Sequence, residues 1–168
     1  MNQTMTHSIP ANFSAQSKIW IYQSSRAFTS EETAQVNAHL KSFTTKWASH
    51  QRQLTAHGEV LHQRFLVLLV DDLQGSGASG CSIDASVHFV EELGNKYEVD
   101  LFDRMTFAYM DGAAVETVTQ AELSERYAAG TINDQTLFFD NLVKTYGDFK
   151  AHWLVPLGQS WHRRFVRK

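Results

Sequence analysis

One stretch restricts the fold of this chain more than any other. Phe65-Leu-Val-Leu-Leu-Val70 is an unbroken apolar run, opened by Arg64 and stopped by Asp71-Asp72. It is far too short to cross a bilayer, which takes about 20 apolar residues in a helix. Its length and β-branched content suit a strand buried on both faces. Such a strand needs other elements layered against it. With 168 residues the chain has them, because a fold of about 150 residues withdraws roughly 68–70% of its surface from water.

The neighbouring elements follow from caps and periodicity. Lys18–Gln23 has the β-branched and aromatic content of a strand. Residues 1–17 are polar, carry no secretory pattern and read as a flexible tail. Thr29 and Glu32 form a capping box, and Val36, Leu40, Phe43 and Trp47 make one apolar stripe, so a helix is expected over 30–50. A Gly- and Ser-rich loop spans 73–81. Ser82 caps a second helix with Ile83, Val87, Val90 and Leu93 on one side and Gly94 near its end. Met105, Phe107 and Tyr109 alternate as in a strand. Asp111-Gly112 then predicts a hairpin returning through Val115–Val118. Thr119 and Glu122 open a short helix that stops at Gly130. A strand over 136–143, a helix over 146–153 closed by Pro156, and an amphipathic tail over 160–165 complete the order. The pattern predicts a single α+β domain over 18–168, built on a mixed sheet of about five strands.

Residues 75–80, Gly-Ser-Gly-Ala-Ser-Gly, imitate two nucleotide motifs. A P-loop needs lysine at the position of Cys81, where its charge meets the outer phosphates, and a thiol supplies no such charge. Asp71, Asp72 and Asp84 flank the loop and would repel a triphosphate. The dinucleotide motif fails because Asp72, Leu73 and Gln74 separate the strand from the first glycine, and no repeated βαβ pattern surrounds it.

Cys81 is the only cysteine. That excludes an intramolecular disulfide and a multi-thiolate zinc site, and it is most simply read as cytoplasmic. A thiol beside the first turn of a helix meets unpaired amides and the positive end of the helix dipole. The same amides suit an oxyanion or a carboxylate. Asp84 opposes thiolate formation, and most isolated cysteines are small buried hydrophobes.

Trp20-Ile-Tyr-Gln23, Trp47-Ala-Ser-His50, Ala78-Ser-Gly-Cys-Ser-Ile-Asp84, Asp100-Leu-Phe-Asp-Arg104 and Ser160-Trp-His162 occur together in this chain. With them, over roughly Ile19–Phe165, it resembles a family of small uncharacterised bacterial proteins often labelled "ABC transporter ATPase". The resemblance implies no activity, substrate or cofactor. The label itself lacks its motifs here: there is no P-loop lysine and no Leu-Ser-Gly-Gly-Gln signature.

Three classes of function remain open. In the first, Cys81 acts as a nucleophile with His50 or His162 as general base, the loop amides holding negative charge, and Asp84 or Asp71 orienting the base. In the second, the loop with Ser82, Asp71 and Asp84 binds a small anion or peptide terminus, and Arg104 or Arg26 supplies charge. For Arg104 the preferred reading is pairing with Asp100 or Asp103 while Leu101 and Phe102 enter the core. In the third, the chain is a structural partner, a homodimer anchored by Trp153 and Trp161. His39, His50, His57 and His62 are spaced by eleven, seven and five residues, unlike helical metal ligands, and no metal or cofactor is expected. A net charge of −3 argues against a nucleic-acid partner despite the basic C-terminus, and no membrane partner is expected.

Overall fold

The apolar run forms β5 (Phe65–Val70), and all six of its residues are at most 1% exposed. It is the central strand of a three-stranded sheet, between β1 (Lys18–Gln23) and β4 (Ala56–Leu61), and both pairings are antiparallel. Each side chain so enclosed contributes about 1.5–3 kcal/mol. The structure, a computed structural model, describes residues 9–49, 51–71 and 78–166. The chain divides into two units. One comprises residues up to Phe102 with Lys144–Gly147, and the other comprises Asp103–Val143 with Asp148–Lys168.

In the first unit, α1 (Ser30–Lys46) starts at the expected capping box. Thr29 Oγ1 accepts from the Glu32 amide, and the Glu32 carboxylate accepts from the Thr29 amide, both at 3.0 Å. Val36 and Leu40 are fully buried against Leu66 and Leu68 of the sheet. The helix ends at Lys46 rather than near 50, because Trp47 takes extended dihedrals and leads into a small hairpin, β2 (Ala48–Ser49) with β3 (Arg52–Gln53). The second helix, α2 (Gly80–Tyr97), starts earlier than expected because Ser79, not Ser82, is its cap. It also runs a turn past Gly94, ending where Glu98 enters the left-handed region at φ 54°. Its buried face is Ser82, Ser86, Val90, Leu93 and Tyr97.

Order begins before Lys18. Ile9 and Phe13 are buried, and the Ala15 and Ser17 carbonyls accept from the Gly147 and Tyr146 amides. Two apolar anchors in a polar stretch therefore tie residues 9–17 to this unit.

In the second unit, β6 (Thr106–Asp111) and β7 (Ala114–Thr119) form the expected hairpin, with Gly112 at φ 62°. The capped helix α3 (Gln120–Ala128) follows, and Gly130 takes φ 79°. The next strand, β8 (Leu137–Phe139), is shorter than expected because the Asp140 carboxylate accepts from the Leu142 amide and turns the chain. The chain passes between the units within α4 (Tyr146–His152). Pro156 does not close that helix; it ends β9 (Leu154–Pro156), an edge strand where its missing amide costs nothing. The sheet order is β7-β6-β8-β9, and two 3-10 turns, Leu157–Gln159 and Trp161–Phe165, finish the described chain.

The α+β class is as expected. The strands, however, are spread over antiparallel sheets of three, two and four among the described residues, in place of one mixed sheet of about five. Hairpin links account for the antiparallel pairing of β2 with β3, β4 with β5 and β6 with β7. Trp153, expected at a dimer surface, is enclosed within its own chain. It is 1% exposed, packs on Phe139 and Phe149, and donates through Nε1 to Asn141. Trp161 likewise packs on Phe107 and donates to Asp140. No described helix is long and apolar enough to cross a membrane.

Candidate functional site

The start of α2 is built on Trp47. The indole Nε1 donates to the Ser82 carbonyl at 2.8 Å. Trp47, Leu54 and Val70 form a small core, with Trp20, Phe43 and Ala78 packed on it. Above this base Ser79 caps the helix, accepting from the Ser82 amide at 3.3 Å. Cys81 lies in the first turn and is exposed. The amides of Gly80 and Cys81 belong to that turn, where no intrahelical carbonyl accepts them. The arrangement holds a solvent-facing thiol beside helix-terminal donors.

The other sequence candidates divide by what they touch. Ser82 is 3% exposed, and its hydroxyl donates to the Ser79 carbonyl at 2.8 Å. It therefore completes the cap and presents nothing to a ligand. Asp84 is exposed three residues beyond Cys81, close to one turn along. Asp71 is half-buried at the end of β5, its amide donating to the Thr55 carbonyl. His50 and the loop over 72–77 lie outside the described residues.

Arg26 is a latch rather than a free cation. It meets Glu32 through two hydrogen bonds of 2.9 Å and donates to the Tyr97 carbonyl at 2.7 Å. The guanidinium and the Thr29 amide hold the Glu32 carboxyl well below its ordinary range, at about 2. Arg104 is exposed and pairs with neither neighbouring aspartate. Asp100 accepts from the Phe102 amide, and Asp103 accepts from the Met105 amide and the Thr106 hydroxyl. Short loops let these carboxylates close turns on their own backbone, which leaves Arg104 to solvent. Leu101 is core, but Phe102 is 43% exposed.

His162 lies in the core of the second unit, 2% exposed, with its ring against Trp161, Phe107 and Phe138. Burial pushes its pKa down to about 4. Ser160 Oγ accepts from the His162 amide and lies 2.6 Å from Nδ1, an arrangement suited to a neutral ring. His162 is thus an enclosed packing residue and not a base open to substrate. In the first unit His39 contacts Lys96, His57 contacts Glu59, and His88 lies between Glu91 and Glu92. Among the described residues no imidazole hydrogen-bonds the thiol, and none forms a group able to hold a metal ion with other ligands.

Sequence reasoning passed over Ser79 and Trp47, which set the helix start. Ser79, three residues before Ser82, carried the cap signal; the indole bond, across 35 positions, had no local signal. It also passed over a depression of about 640 Å³ at the far end of α2, where Glu91, Glu98 and Asp100 surround Val99 and Phe102. No family model, curated protein or solved structure matches the chain.

Proposed function

We propose that the start of α2 is the working end of the protein, a thiol-dependent site for a small anionic or electrophilic ligand. The observation that carries this reading is the exposure of Cys81 in the first turn of an 18-residue helix whose start is fixed by Trp47. Thiol and amides share that turn, so a ligand oxygen held by the amides would lie near the sulfur. The reading supposes a reducing compartment such as the cytoplasm, where a single thiol persists. The resemblance to the small bacterial family remains compatible with it and supplies no chemistry.

The test is the iodoacetamide alkylation rate of Cys81 between pH 6 and 9. A thiol held beside helix-terminal donors reacts faster than free cysteine at pH 6–7. A rate no faster than that of free cysteine across this range would overturn the reading. A second reading, non-catalytic anion binding, is favoured by the lack of an imidazole on the thiol among the described residues. It predicts that thermal stabilisation by millimolar phosphate survives Cys81→Ser.

A further inference from the structure

We propose that Arg126 and Tyr109, in the second unit, form a subsite for a small oxyanion, a phosphate or a carboxylate. Tyr109 projects from β6 into the core and is 6% exposed, stacked on Phe138 with ring centroids 5.4 Å apart. Its phenol oxygen accepts from Arg126 Nη1 at 2.6 Å. Having accepted there, the phenol keeps its own proton to donate. The guanidinium has five N–H donors, and this bond uses one.

Arg126 is half-buried in the last turn of α3. The end of the helix attracts a cation but provides no counter-carboxylate. Among the described residues none pairs with Arg126. Two carboxylates of this unit are engaged elsewhere. Glu122, one turn earlier, accepts from the Thr119 amide at 2.8 Å. Asp134 accepts from Arg163 and from Tyr127, each at 3.0 Å. The result is a half-buried guanidinium and a buried phenol side by side, each with donors that no described protein group accepts. A phosphate satisfies the pair with three oxygens, two on the planar fork and one on the phenol, and a carboxylate does so with one oxygen accepting from both groups. Glu116 is the residue opposite Tyr109 across the β6–β7 ladder and shares its sheet face. It is exposed, and as a like charge it weakens binding without filling the subsite.

The test follows the Arg126 Nε–H signal by NMR in the full-length protein carrying Cys81→Ser, so that the outcome is independent of the thiol reading. Inorganic phosphate and acetate are titrated separately, each against sodium chloride at matched ionic strength. The expected result is a saturable shift with phosphate, acetate or both, the two arms showing which oxyanion fits better. Tyr109→Phe should weaken it about three- to tenfold, and Arg126→Lys, which keeps the charge but loses the fork, about tenfold or more. Glu116→Gln should tighten it. Circular dichroism establishes that each variant is folded. Shifts equal to those in chloride, or binding unchanged in folded Tyr109→Phe and Arg126→Lys, would overturn the proposal.

Discussion

Gly58 lies on β4 where a Cβ would come 3.1 Å from Leu68 Cδ2 and 3.3 Å from both Cβ and Cδ2 of Leu40. Both leucines are fully buried, and the Cβ of Leu40 cannot move without its helix. The absent side chain is what lets α1 lie close to the sheet. Gly58→Ala should therefore destabilise the protein by about 1–3 kcal/mol, the usual cost of overpacking, read as a lower midpoint in urea. Gly80 is the matched control. Nothing lies within 4 Å of a Cβ built there, and it occupies the first helical position of α2. Gly80→Ala should be neutral or stabilising by up to about 1 kcal/mol. If the two substitutions had equal effects, close approach would not be the reason for glycine at 58. No local pattern in the sequence marks this need at Gly58, because the contact that imposes it comes from residues 10 and 18 positions away.

The hairpin that joins β4 to β5 turns through His62 and Gln63, both left-handed at φ 52° and 54°. Neither residue favours that region, which costs an L-residue about 1–2 kcal/mol. Gln63→Gly should accordingly raise stability by about 1 kcal/mol, measured by urea unfolding; a loss would mean that the long contact from Gln63 Nε2 to Ser30 Oγ, at 3.4 Å, outweighs the strain. The same turn explains why β4 was not legible. Hairpins announce themselves through Asn-Gly or Asp-Gly, as Asp111-Gly112 does for β6 and β7, whereas His62-Gln63 gives no sign. Elements whose signals are local were legible: the Thr29 and Thr119 capping boxes, the apolar run of β5 and the Gly130 stop. Elements set by distant partners were not: the early start of α2, the separation of the strands into several sheets, and β9 at Pro156. The candidate site divides in the same way. Cys81 at a helix start could be read from spacing. The latch on Arg26 and the burial of His162 depend on residues far along the chain and could not.

Acid should weaken the whole molecule in two steps, each traceable to named groups. Buried His162 has its pKa lowered from the ordinary 6.5 to about 4, and His62 is lowered by burial as well. In both cases the unfolded chain takes up a proton that the folded chain refuses. Stability from this source is complete above about 6.5 and is lost as pH falls towards 4, below which His162 is charged in both states. For His162 that window corresponds to about 3 kcal/mol. The carboxylates follow at lower pH. Glu32 is held at about 2 by Arg26 and the Thr29 amide, and Asp103 is lowered by the Thr106 hydroxyl and the Met105 amide. Their contribution is present above the ordinary carboxyl range and disappears as pH falls through it towards 2. It is the smaller of the two, since Arg26 and Glu32 are solvent-screened. Urea unfolding at pH 7.5 and pH 4.5 separates the steps, because most of the histidine loss and little of the carboxylate loss fall between those values. His162→Asn retains an acceptor near the position of Nδ1 and cannot be protonated. It should lower stability at pH 7.5 through lost packing against Phe107 and Phe138, yet flatten the decline to pH 4.5, leaving the smaller part due to His62. An undiminished decline in His162→Asn would show that the buried imidazole is not what acid attacks.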